Sequence, residues 1–159
     1  MRRTARGEAY VSKLFGTNIQ VIATPDGVQA WQTVGFIERT NELAHPEGLE
    51  FYQKGGEPVN VPKALAERLS SRLLSFTSYE YDPEGEKACI PMPGFALSFI
   101  RGNQTVDVFL CFECDMLNVE SGAFKSWGDF DPAHNDLLQS IKLIFPRDSR
   151  VQSIPERQR

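Results

Sequence analysis

Histidine is nearly absent from this chain: His45 and His134 are the only two among 159 residues. Cysteine, at three, is too rare and odd in number to build the disulfide framework of a small secreted scaffold. No Gly-x-Ser-x-Gly elbow occurs, and neither common glycine-rich phosphate loop is present, so nothing points to a serine hydrolase or a nucleotide enzyme. No run approaches the ~20 apolar residues of a membrane span. Positive charge is not in excess: the formal net charge is -4, and a duplex-binding surface has the opposite sign, so no nucleic-acid partner is expected. The start, Met1-Arg2-Arg3-Thr4-Ala5-Arg6, is basic without an apolar stretch behind it. The expected location is therefore cytoplasmic, the alternative being export with a leader already removed. Arginines gather at both ends, where short charged segments are solvated tails.

What is present is alternation. From Thr105 to Met116, Val106, Val108, Leu110, Phe112, Cys114 and Met116 share one parity and are apolar. The other parity carries Thr105, Asp107, Phe109, Cys111, Glu113 and Asp115. Side chains alternate faces along a strand, so the spacing predicts a strand over 105–116 with one face on a core. Cys111 and Cys114 would then lie on opposite faces with alpha carbons roughly 10 Å apart, too far for a disulfide. Gly102-Asn103 suits a two-residue hairpin loop, and pairing Arg101 with Gln104 sets Phe99 against Val106, Leu97 against Val108 and Phe95 against Leu110. All six are apolar, and a slip of one residue would divide them between faces. Extended to Ala88, that register makes Cys89 and Cys114 diagonal neighbours, either as two buried thiols or as a disulfide if a bulge near Pro91 or Pro93 closes the gap.

Elsewhere the pattern predicts a helix over 8–15 stopped by Gly16, and a strand over 28–36. Between 38 and 60 it predicts a long, mostly irregular connection that is itself a candidate binding region. A helix after Pro62 capped by Asn60 carries the stripe Leu65, Leu69, Leu73 and Leu74. Further strands are expected over 76–81 and 123–127. A second helix opens with Asp131 as cap and buries Leu137, Leu138, Ile141, Ile144 and Phe145. The whole reads as one α+β domain over residues 1–146 with a loose tail over 147–159. Its architecture is a two-layer sandwich, a mainly antiparallel sheet of about four or five strands with helices packed on one face.

Three groups of residues invite a functional reading. Asp129-x-Asp131-x-x-His134 resembles a metal or acid–base cluster, but capping accounts for Asp131 and helix position for His134. A zinc site would need Cys89, Cys111, Cys114 and a histidine to converge from both sheet faces, so no metal or other cofactor is expected. The outward row Asp107, Phe109, Cys111, Glu113 and Asp115 sets an aromatic ring and a thiol among carboxylates, a candidate contact surface. The expected function is a non-catalytic module that binds a protein or small ligand. The alternative is a thiol- or metal-dependent enzyme or redox protein built on Cys111 with His134 or a nearby carboxylate.

Overall fold

The computed structural model describes residues 2–38, 49–81, 87 and 89–158. Helix α1 (Arg2–Phe15) ends where Gly16 adopts φ +56°, and a 3-10 turn leads into α2 (Ile19–Ala23). Then come β1 (Gly27–Thr33), α3 (Val34–Glu38), a 3-10 turn Leu49–Tyr52, β2 (Lys54–Asn60) and α4 (Lys63–Leu74). A meander follows: β3 (Phe95–Arg101), β4 (Gln104–Cys111), β5 (Met116–Ser121) and β6 (Phe124–Asp129). The chain closes with α5 (His134–Ile144) and α6 (Ser149–Gln152). The fold is α+β, and its sheet is antiparallel with six strands in the order β2-β1-β3-β4-β5-β6, not four or five.

The hairpin register follows the apolar pattern: Phe95, Leu97 and Phe99 face Leu110, Val108 and Val106. Gly102 alone of the two loop residues has a positive φ, +59°, as a turn of type II′ requires. Beyond Cys111 the expected strand fails. Residues 112–115 form a tight turn, Asp115 takes the left-handed conformation at φ 55°, and the chain returns as β5 with Met116 opposite Cys111. Residues directly opposite share a face, so Met116 leaves the core side assigned to it and joins Cys111.

The additional edge strand β2 occupies what was expected to be irregular chain; residues 39–48 of that connection lie outside the described residues. Pro58 is tolerated there because an edge strand need not donate on both sides, and the pairing with β1 is interrupted between Ala30 and Gln32. Three other expectations are corrected. Phe76–Ser78 is a 3-10 turn closed by the Ser75 hydroxyl, leaving only a Glu80–Asp129 bridge of the strand expected over 76–81. Val34–Glu38 is helical. Helix α4 starts at Lys63 with Pro62 at its cap position and no side-chain cap, while Asn60 ends β2. Asp82-Pro83-Glu84-Gly85, whose composition predicts a turn, lies outside the described residues.

One buried cluster joins Leu97, Phe99, Val108, Leu110, Leu117 and Val119 of the sheet to Leu14, Ile22, Leu69, Leu73, Leu138 and Ile141 of the helices. Val151 of α6 is fully buried in it and Ile154 packs against it. The chain after Pro146 thus docks on the core at these points. On the other parity of the sheet, the Tyr52 ring lies 5.5 Å from that of Phe109 and its hydroxyl donates to Asn118 Oδ1 at 3.3 Å. The turn Leu49–Tyr52 therefore covers part of that face. Among the described residues, no helix is long and apolar enough to cross a membrane.

Candidate functional site

The five residues of the outward row do not form one exposed face. Asp107 is half-buried, accepts from the Ser98 hydroxyl at 2.6 Å and pairs with Lys54 at 2.8 Å. Phe109 is buried under Tyr52. Cys111 is 1% exposed and sits in a small cluster with Cys114 and Met116. Glu113 and Asp115 belong to the turn rather than to a strand. Cys111 and Cys114 are therefore neighbours, not residues on opposite faces. They still share no bond: Cys114 forms a disulfide with Cys89, alpha carbons 6.2 Å apart, and Cys111 is the free thiol. The separation on opposite sheet faces was the wrong reason for the absent bond.

The left-handed turn residue Asp115 aims its carboxylate inward, where it is 4% exposed. His134, at the start of α5, meets it with Nδ1, while its Nε2 lies 3.1 Å from the Pro155 carbonyl. A carbonyl only accepts, so the contact to Pro155 is a hydrogen bond donated by Nε2. Both ring nitrogens of His134 are thus engaged within the fold. Arg157 adds its Nε, 3.4 Å from Asp115 Oδ2, and donates from Nη2 to the carbonyls of Phe112 and Glu113, both at 3.1 Å. Burial pushes the Asp115 carboxyl up and a hydrogen bond with Asp131 adds to that, against the opposing pull of His134 and Arg157.

Asp131 is not the helix cap its position suggests. Phe130 and Ala133 hold the cap positions of the turn Asp131–Ala133 and of α5 without a side-chain bond, and Asp129 Oδ1 accepts from the Asp131 amide at 3.0 Å. Lys87 instead gathers the acids: its Nζ donates to Asp131 Oδ1 at 2.6 Å, to Asp129 Oδ1 at 3.1 Å and to the Cys114 carbonyl at 2.8 Å. Burial alone would raise Asp131, but hydrogen bonds with Lys87 and Asp115 outweigh it and hold the carboxyl below its ordinary value. Burial opposes the Lys87 ammonium, yet the two carboxylates hold its pKa above the usual one. Lys87, Glu113, Asp115, Asp131 and Arg157 line an open depression of about 540 Å³ together with both disulfide sulfur residues. Among the described residues no three His, Cys, Asp or Glu side chains are arranged to hold a metal ion.

This arrangement sets a sign for pH dependence. A depressed Asp131 contributes stability above the unfolded carboxylate value and loses it as pH falls through the depressed one; a raised Lys87 contributes below the ordinary lysine value and loses it as pH rises through the raised one. Lys87→Met is therefore expected to cost about 1–3 kcal/mol near neutral pH, because Asp131 is half open to solvent while Asp129, its other partner, is buried. The difference from the parent should shrink in urea titrations run at about pH 3 and about pH 11.

A second depression, about 820 Å³, lies between α1 and the segment Phe76–Tyr81. Arg6, Ala9, Tyr10 and Lys13 line it at helical spacing, facing Phe76, Tyr79, Glu80 and Tyr81. The Tyr10 ring is 5.6 Å from that of Tyr79 and 5.7 Å from that of Tyr81. Gly7 permits the close approach: a Cβ there would lie 2.6 Å from Phe76 Cδ2. Two tyrosine hydroxyls are already used, Tyr79 donating to the Leu73 carbonyl at 2.5 Å and Tyr10 accepting from the Asp129 amide at 3.4 Å. Their rings remain as walls. The polar-aromatic spacing of residues 76–81 was visible in the sequence but read as a strand; its meeting with α1 had no local signal.

Compared with known proteins, the chain matches no family model, no curated protein and no solved structure.

Proposed function

We propose that this chain is a non-catalytic binding module whose ligand lies in the aromatic groove between α1 and Phe76–Tyr81. The observation that carries the reading is the groove itself: a concave, tyrosine-walled space with Arg6, Lys13, Thr77 and Glu80 in its lining combines apolar walls with polar groups, as a small-ligand or peptide site does. Exposed Arg6 and Lys13 on one side favour a ligand with an apolar body and a carboxylate. The acidic row offers less contact area, since Phe109 and Cys111 are covered. Against the thiol-enzyme alternative stand the burial of Cys111, which pushes its thiol up despite amide hydrogen bonds from Cys114, Met92 and Glu113, and the occupied nitrogens of His134.

Two finer features belong to the same reading. The architecture is a two-layer sandwich, supported by the single cluster that joins helices and one sheet face. The working compartment is oxidising, supported by the Cys89–Cys114 disulfide, which favours export over the cytoplasm.

A fragment library of aromatic carboxylates and short acidic peptides, followed by amide and tyrosine chemical shifts, tests the site. Ligands should move Arg6, Tyr10, Lys13, Tyr79 and Tyr81 together, and Lys13→Glu should weaken the carboxylates by about two- to fivefold. Iodoacetamide should leave Cys111 unmodified in the folded chain. Rapid Cys111 alkylation with no shifts in the groove would favour the thiol enzyme instead.

A further inference from the structure

The two sulfurs of the Cys89–Cys114 disulfide are unequally placed. Cys89 is exposed and the following Ile90 is 83% exposed, whereas Cys114 is 6% exposed. A thiolate displaces a disulfide sulfur in line, so only the Cys89 end is open to approach. The bond also lies outside the main core: Cys114 belongs to the small cluster with Cys111 and Met116, and residues 89–94 form no regular structure. Two cations flank the Cys114 turn. Lys87 Nζ is 2.8 Å from the Cys114 carbonyl, and Arg157 Nη2 is 3.1 Å from that of Glu113, with Glu113, Asp115 and Asp131 lining the same depression.

We propose that this disulfide is a thiol-exchange site, at which an incoming thiolate bonds to Cys89 and Cys114 departs. In the first step the new bond joins the attacking sulfur to Cys89 Sγ, the Cys89–Cys114 bond breaks, and its electron pair stays on Cys114, which then takes a proton from water. With a monothiol the product is a mixed disulfide at Cys89. With a dithiol the second sulfur attacks its own partner sulfur, Cys89 leaves as a thiolate, and two electrons have passed from the dithiol to the protein. Exchange unties the stretch of chain around Cys89 and leaves the helix-and-sheet core in place. Cys111, buried beside the leaving sulfur, takes no part.

The full-length folded chain is incubated with reduced glutathione in one arm and dithiothreitol in the other. New thiols are trapped with iodoacetamide and every sulfur is located by peptide mass mapping, while hydrogen exchange follows the core amides. The expected result is glutathione on Cys89 over Cys114 by roughly tenfold, with alkylation on Cys114. Dithiothreitol should expose Cys89 and Cys114 together while core amides stay protected and Cys111 stays unmodified. Glutathione on Cys114, an even division between the two, or reduction no faster than core-amide exchange with Cys111 alkylated alongside would overturn the proposal.

Discussion

Asp115→Ala should remove about 3–5 kcal/mol of stability, the loss typical of stripping one partner from a buried, hydrogen-bonded pair of ionisable groups. The substitution leaves the His134 Nδ1 without its partner in a site where the ring is 1% exposed. It also asks alanine to hold φ 55°, a left-handed conformation that costs an L residue about 1–2 kcal/mol. Asp115→Asn should lose much less. Asparagine tolerates the left-handed region, and its amide can donate to Nδ1 while Nε2 continues to donate to Pro155. Urea unfolding of the two variants at neutral pH checks the contrast. Equal, small losses would show that the turn conformation and the pair are both dispensable.

Leu138→Ala should cost about 2–5 kcal/mol, the range for deleting a fully buried leucine and leaving its cavity. Leu138 has no exposed surface and lies in the cluster shared by helices and sheet. Leu143, on the same helix but 61% exposed, supplies the control: its alanine variant should stay within about 0.5 kcal/mol of the parent. The ratio of the two losses reports which side of α5 faces the core, and a comparable cost at both positions would contradict the burial described above.

The elements most legible in the sequence were those whose pattern was fixed by a continuous core face. The register of β3 with β4 was readable because a slip of one residue would have set Phe95, Leu97 and Phe99 on the face opposite Val106, Val108 and Leu110. The same logic overran at residue 112. Phe112 and Cys114 have the parity and apolarity of a strand, and no residue type announced that Asp115 would take a left-handed turn. Strand β2 was hidden for the opposite reason: an edge strand with Gly55, Gly56 and Pro58 lacks the apolar alternation that marks an interior one. At the candidate site, Asp129, Asp131 and His134 were visible as a spacing. Their partners were not, because Lys87, Asp115 and Pro155 reach them from other parts of the chain, and Arg157 in turn reaches Asp115. A capping rule that reads only neighbours assigned Asp131 to the wrong donor.

The strand order also governs what a ribosome releases. β3, β4 and β5 each pair with the strand that follows, across turns of a few residues, so each hairpin can close as soon as it emerges. β1 is different: it pairs with β2 on one side and with β3 on the other, and β3 is synthesised only after α4. Helix α1, made before any strand of the sheet, packs against β6 and the turn Phe76–Ser78. During translation the α1 stripe of Val11, Leu14 and Phe15 therefore stays without its final strand partner until β6 has left the tunnel.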